Sequence, residues 1–535
     1  MSMKKKTALF LAAALAVSAL AGCEGKGGKL DGDVLQSVTM SDEYPVKTDA
    51  KLKYWVALST NLVDSVNSLN DTEFAKELQK QTGISVEFIH PVVGNEVEGF
   101  NLMIAGGDYP DIVETAWNTF SGGPSKAIED GVIYPLNDII AKASPNLKKL
   151  IDSDQNLKRN ISANGNIYVY PFYRGADVLC TYYGVMARGD LLDELNMEAP
   201  ETIDEWESML RGFKGKVEVP FTADLTPTIV RDMGDLLVGA YGVGADFYID
   251  NGKVKYGPLE PGFKEFVTKM AAWYAEGLID SEFANYDMNR VASLVINGQV
   301  GVVPGANGSN FGTWLKPFTE KNPGAYFVPL KSAVLNKGDR PQFGQKEFRA
   351  SGLGAAITSN CKNIEAAARL LDYGFSEKGG ELYNFGIEGI SYEMKGDVPT
   401  YTDAITNAEQ ISGQSMAQAL SNYTRVSSSG PFVQSEDYIM QFYRNDVQKE
   451  ALKVWSDTDA DLHKLPGLNY SAEDSSQLSK LMNDIRTNVD ETVLKMILGS
   501  TPVSEYDSFV ETLKSMGVEE AIQINQKAYD AYMAQ

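Results

Sequence analysis

The stretch GFNLMIAGGDYPDIVETAW, residues 99–117, decides how this chain folds. Its first half is apolar and predicts a helix. Gly106-Gly107-Asp108 then predicts a tight turn. The short apolar run DIVET that follows predicts a buried strand. Just upstream, KLKYWVALST (51–60) is a β-rich run and SVEFIH (85–90) a second one. Between them Phe74 and Leu78 share a helical face, with Asn70 expected as N-cap, Glu73 as its capping-box partner and Gly83 as the stop. Strand, helix, strand in this order predicts a largely parallel sheet.

The same alternation continues outward. TIDEWESMLRGF (202–213) opens with Thr202 as cap and Glu205 as box partner, and Trp206, Leu210 and Phe213 line one face. Phe263, Phe266, Met270 and Trp273 recur at helical spacing before Gly277. NIEAAARLLDYGF (363–375) predicts another capped helix. Leu478, Met482, Ile485, Val489, Val493 and Met496 mark a long amphipathic one. Trp206 and Trp273 are expected in the core. No internal repeat is evident.

The N-terminus has a different composition. Lys4, Lys5 and Lys6 precede an uninterrupted apolar or small stretch over 7–22, and Cys23 follows, the layout of a secretory signal. The apolar tract is short for a span, which takes about 20 residues. Leu20-Ala21-Gly22-Cys23 resembles the bacterial lipobox, and that resemblance implies lipidation of Cys23 through a thioether. An ordinary signal with an incidental cysteine is the other reading. Residues 24–47, with four early glycines, suit a flexible tether.

Composition narrows the function classes. The 535 residues are enough for two or more domains. A net charge of −24, falling to −27 without the three signal lysines, argues against nucleic acid and against a polybasic membrane surface. Only Cys180 and Cys361 remain beyond Cys23. Both are expected as small buried hydrophobes, although a disulfide between them is possible. Two histidines, His90 and His463, lie far apart, which argues against a poly-His zinc site. Asp457, Asp459 and Asp461 have the spacing of a calcium loop, but Leu462 and Leu468 stand where its glycine and glutamate belong. A solvated acidic turn is the better reading, and no metal or cofactor is expected.

Several segments together resemble extracellular solute-binding proteins, family 1. FNLMIAGGDYPDIVE matches that family's helix, turn and strand. DGVIYPLNDII (130–140), NGNIYVYPF (164–172), APETIDEWESMLRGFK (199–214), WYAEGLID (273–280), INGQVGVVPG (296–305) and the C-terminal run 465–499 follow in family order. The resemblance implies a periplasmic-binding-protein-like α/β fold, two α/β lobes joined by a hinge with the ligand cleft between them. It places 1–22 as lipoprotein signal and 23–47 as lipidated cysteine and tether. Lobe 1 is expected over 48–170 and 348–400, and lobe 2 over 171–347 and 401–535. It implies a monomer that captures an oligosaccharide and delivers it to the permease subunits of an ABC importer, held at the outer face of the cell membrane by the lipid anchor alone.

A sugar cleft needs aromatic platforms for CH faces and paired polar groups for hydroxyls. Ligands of doubly wound sheets meet the loops after strand C-termini. That rule selects Thr60 and Asn61 after the first strand, and Trp117 and Asn118 after DIVET, with Trp117 the favoured platform. Tyr173, Arg174 and Asp177 lie where the chain should cross between lobes. An ion pair across the lobes is the alternative role for Arg174. Asp224, Asn307, Trp314 and Tyr392 complete the expected ligand-binding set, on loops that match family contact regions.

Two other functions fit part of the sequence. A secreted glycoside hydrolase needs only two carboxylates across a sugar, and 72 acidic residues make such pairs uninformative. No nucleophile elbow or histidine metal motif is present, and His90 ends an apparent buried strand. A sensor or adhesin lipoprotein that binds glycans without transport has the same sequence features. A binding protein without enzymatic activity is the reading adopted.

Overall fold

The computed structural model describes residues 41, 43–426 and 429–535. Cys23, the signal and nearly all of the tether lie outside the described residues. Among the described residues no helix is long and apolar enough to cross a membrane.

Among the described residues ten strands form the two main sheets, beside three two-stranded ones. They are β1 Lys51–Trp55, β2 Ser85–Ile89, β3 Ile112–Ala116, β4 Tyr170–Arg174, β5 Tyr183–Arg188, β6 Val219–Phe221, β7 Val300–Ala306, β8 Phe327–Leu330, β9 Leu353–Ile357 and β10 Phe432–Gln434. The first sheet runs β10-β4-β9-β3-β1-β2 and the second β8-β5-β7-β6. As the opening pattern predicts, β1 pairs in parallel with β2 and β3. The sheet is nevertheless mixed: β9 runs antiparallel to both β3 and β4. β9 returns from the other lobe, so its direction is set by a crossover rather than by a local βαβ unit.

The deciding stretch folds as predicted. Helix Glu96–Gly106 ends at Gly107 with φ 71°, a left-handed conformation that costs glycine little, and β3 follows. The cap of the preceding helix differs. Thr72, not Asn70, caps Glu73–Thr82, its hydroxyl accepting the Ala75 N–H. Asn70 instead bonds both the N–H and the carbonyl of Phe88 at 2.8 Å, tying the turn to β2. The Thr202–Glu205 box forms in full. Asn363 precedes its helix but makes no side-chain cap bond.

Each sheet has its own core. Trp55, Phe74, Ile112 and Ile357 belong to the first, and Trp206, Phe213, Phe266 and Trp273 to the second. Helix Ala472–Ile497 lays Met482, Ile485, Val489, Val493 and Met496 into the second. Cys180 and Cys361 are free and buried, and burial pushes their thiols up to about 11 and about 12.

Residues 401–426 and 429–443, expected in the second lobe, pack in the first. Tyr401, Leu420, Phe432 and Tyr438 belong to its core, and β10 adds in parallel to β4. Arg425 closes this segment onto the sheet through an ion pair with Glu114 of β3, 2.8 Å apart and almost wholly buried. Tyr54 donates to the same carboxylate at 2.6 Å. A buried charge is tolerable only when paired, so these three groups hold the segment in place. The chain therefore crosses between lobes three times: between β4 and β5, between β8 and β9, and near 443–446.

Candidate functional site

The crossovers are stitched together by polar bonds. The Arg174 N–H donates to the Arg349 carbonyl, and the Glu347 N–H to the Cys180 carbonyl. Arg349 reaches Asp177 Oδ1 at 2.9 Å and the Gly175 carbonyl at 3.2 Å. Gln345 Oε1 accepts the N–H groups of both Tyr182 and Tyr183. The third crossing joins at Gly175, whose N–H donates to Gln434. A narrow, cross-linked waist of this kind lets two rigid bodies rotate while keeping their register.

Two cavities meet beside the waist and share Tyr470 and Ser479. The smaller, about 310 Å³, has the loop 118–123 of the first lobe on one wall and 468–479 on the other. The larger, about 670 Å³, is cut into the second lobe next to the crossovers and is lined in part by Tyr182, Asp235, Tyr248, Gln345, Lys346 and His463. Tyr182 is 46% exposed there. Two further bonds bridge the lobes at this edge: Tyr532 donates to Asn160 Oδ1 at 2.7 Å and Asn469 to the Ser162 carbonyl at 3.2 Å.

Asp235 sits on a strained loop. Its φ is 57° and that of Leu237 is 62°, values that side-chain-bearing residues seldom adopt. Gly234 beside it lies so close to Gln345 that a Cβ would fall 2.1 Å from the Gln345 nitrogen. The Ala245 N–H donates to Asp235 Oδ1 at 2.7 Å, and burial pushes the carboxyl up to about 7. His463 is held by the Ile249 carbonyl at Nδ1, and its ring packs on Phe343. Among the described residues no group of three His, Cys, Asp or Glu side chains is placed to hold a metal ion. The spaced acids are tied up instead: Asp457 and Asp459 pair with Arg340, and Asp461 with Lys346.

The structure disperses the residues singled out by sequence. Asn118 lines the smaller cavity. Thr60 and Asn61 lie in the turn after β1, on the first lobe. Tyr173, Arg174 and Asp177 gather at the waist. Tyr173 donates to Asp154, Asp177 pairs with Arg349, and Arg174 donates to the Phe348 carbonyl while stacking over Phe172. The ion pair that was the alternative role for Arg174 is made at the waist by Arg349 with Asp177. Asp224 turns back on Thr226, and its charge adds to burial in pushing the Tyr286 hydroxyl up to about 12.

Four expected contacts are buried in this conformation. Trp117 is 0% exposed, edge-on to Phe100 and tilted against Phe120, so it offers no platform. Trp314 packs on Phe311 in the second lobe. Asn307 exchanges bonds with Gln448. Tyr392 lies against Phe385 in the first core. An aromatic just after a strand serves packing as readily as stacking, and burial decides which. Tyr182, Tyr248, Tyr470 and Asp235 went unselected by sequence reasoning. The one available signal was the tyrosine pair Tyr182-Tyr183 at the lobe crossing.

Comparison with known proteins follows from this geometry. The model of the bacterial extracellular solute-binding proteins matches residues 67–381. The fructooligosaccharide ABC transporter substrate-binding protein FusA of Streptococcus pneumoniae serotype 4 is 25% identical, over 99% of this chain and 98% of its own. The polygalacturonan/rhamnogalacturonan-binding protein YtcQ of Bacillus subtilis is 21% identical over 85% of this chain and 87% of its own. The structure of the alginate-binding protein AlgQ2 without calcium ion superposes with a TM-score of 0.65 at 26% identity, covering 90% of this chain and 99% of that one. These likenesses agree with two α/β lobes and a hinge.

Proposed function

Since this chain belongs to the bacterial extracellular solute-binding protein family, we propose that it captures an oligosaccharide between its lobes and delivers it to an ABC importer. The observation that carries this reading is the cavity pair at the waist. Its smaller member has a wall from each lobe, so a ligand there touches both at once. Contacts made to both lobes favour the closed form over the open one, and the ligand shifts the population by that difference. A permease can then recognise the closed shape. Relatives whose names specify sugars support the ligand class. Asn118, Tyr182, Tyr470 and Asp235 are the contacts favoured here, with Thr60, Asn61 and Asp224 reached on closure. Cys23 would carry the lipid that keeps the protein at the membrane, and the mature chain acts as a monomer.

The test is calorimetric titration of the protein with a panel of oligosaccharides, each recovered ligand being weighed by mass spectrometry. Binding at unit stoichiometry with intact ligand is the expected result. Shortened sugars would replace this reading with a hydrolase.

A further inference from the structure

The charges around the site narrow the ligand. Four cations line the larger cavity: Arg231, Lys346, Lys464 and Arg486. Every one already holds a carboxylate. Arg231 pairs with Asp232 at 2.7 Å and Asp246 at 2.8 Å, and Arg486 shares Asp246 at 2.8 Å. Lys346 pairs with Asp461 and Lys464 with Glu347, each at 2.9 Å. The same walls carry four acids, Asp232, Asp235, Asp246 and Glu347. The smaller cavity has no Asp, Glu, Lys, Arg or His in its lining. It presents the amides of Asn118 and Asn469, the hydroxyls of Ser121, Ser475 and Ser476, and the ring of Tyr470.

We infer that the ligand is an uncharged oligosaccharide and that this cleft discriminates against uronate chains. The inference rests on the sugar-capture reading and deepens it. A carboxylate on each sugar unit is held most strongly by a cation at each subsite. In the smaller cavity there is none. In the larger, recruiting Lys346 or Lys464 would take the partner of Asp461 or Glu347, and recruiting Arg231 or Arg486 would leave Asp246 with one arginine where it now has two. Asp246 is the most buried of these acids, with a side chain 7% exposed, and it draws on both arginines. The chain's net charge of −24 adds a repulsive field against any polyanion. A neutral sugar asks only for hydroxyl hydrogen bonds and a ring face, and the amides, serines and tyrosines supply both. Among relatives whose names specify neutral and acidic glycans alike, these residues set this chain on the neutral side.

Calorimetry on the full-length protein decides it. The neutral probes are kestose, maltotetraose, xylotetraose and mannotetraose, and the acidic ones trigalacturonate and an alginate trisaccharide. The best neutral probe is expected to bind at least about 100-fold more tightly than either acidic one, since each unmatched carboxylate strands a charge. Tighter binding of an acidic probe would overturn the inference while leaving sugar capture standing. Silence across both classes would overturn sugar capture, and the inference with it. A second arm uses Asp246→Asn, which frees Arg486 and leaves Arg231 with Asp232 alone. This variant is expected to bind trigalacturonate at least about tenfold more tightly than the parent protein does. No gain in a folded variant would overturn the claim that pairing of these cations excludes uronates.

Discussion

At the residue scale, position rather than residue type separates side chains sealed in a core from those at the cavity wall. Trp117 and Tyr182 both lie next to strand ends, yet one is sealed against Phe100 and the other is open to the cavity. His90 shows the structural outcome fully. Its Nδ1 meets the Val56 carbonyl and its Nε2 accepts the Leu69 N–H, so the ring is held neutral, and burial lowers its pKa. Asp235 shows the other outcome, a carboxyl at the cavity wall whose pKa burial raises to about 7. An unfolded aspartate titrates near 3.9, about three units lower. The folded state therefore holds this proton more tightly. The stabilisation is complete below the unfolded pKa and is lost as pH rises through about 7. Asp235→Asn keeps an oxygen for the Ala245 N–H and removes the titration. Relative to the parent, the variant is expected to melt higher at about pH 8 than at about pH 4. Thermal melts at the two pH values check this, and an equal shift at both would sink it.

At the element scale, the helix caps test how local signals survive folding. The Thr202–Glu205 box was legible because both partners lie within one turn, and it forms with Glu205 Oε2 accepting the N–H groups of Glu201 and Thr202. The Glu201 bond first, then the Lys337 ammonium and the Thr202 bond, hold the Glu205 carboxyl down at about 2. Thr202→Ala is expected to lower the unfolding free energy by about 1 kcal/mol, the usual cost of a lost cap. Urea unfolding with an unchanged m-value measures it, and a change well under half that figure would mean that packing alone holds the helix. Asn70 failed as a cap for a tertiary reason. β2 passes close enough to claim its amide, and Thr72, two residues later, takes over the helix end.

At the scale of the whole molecule, the waist is the determining feature. Three chain crossings, cross-linked through Arg174, Arg349, Asp177 and Gln345, join two lobes that each bury a separate core. Small-angle scattering is expected to show the radius of gyration falling when a saturating bound sugar is added. An unchanged radius alongside calorimetric binding would show a site already closed and would remove hinge motion from the mechanism. The interlobe bonds of Tyr532 and Asn469 lie at the edge that such a motion would work against.

By itself the sequence determined the α/β class, the parallel opening β1–β2–β3, the capped helix after Thr202, the core tryptophans Trp206 and Trp273, and the family order of segments. All of these depend on interactions within a few residues or on a short repeat of apolar positions. Tertiary structure alone decided that 401–426 and 429–443 return to the first lobe, that Arg349 rather than Arg174 makes the ion pair at the waist, and which aromatics reach the cavity. Those outcomes depend on partners far apart in the chain, 311 positions for Glu114 with Arg425 and 172 for Asp177 with Arg349. Local sequence carries no record of which distant partner a charge or ring will meet.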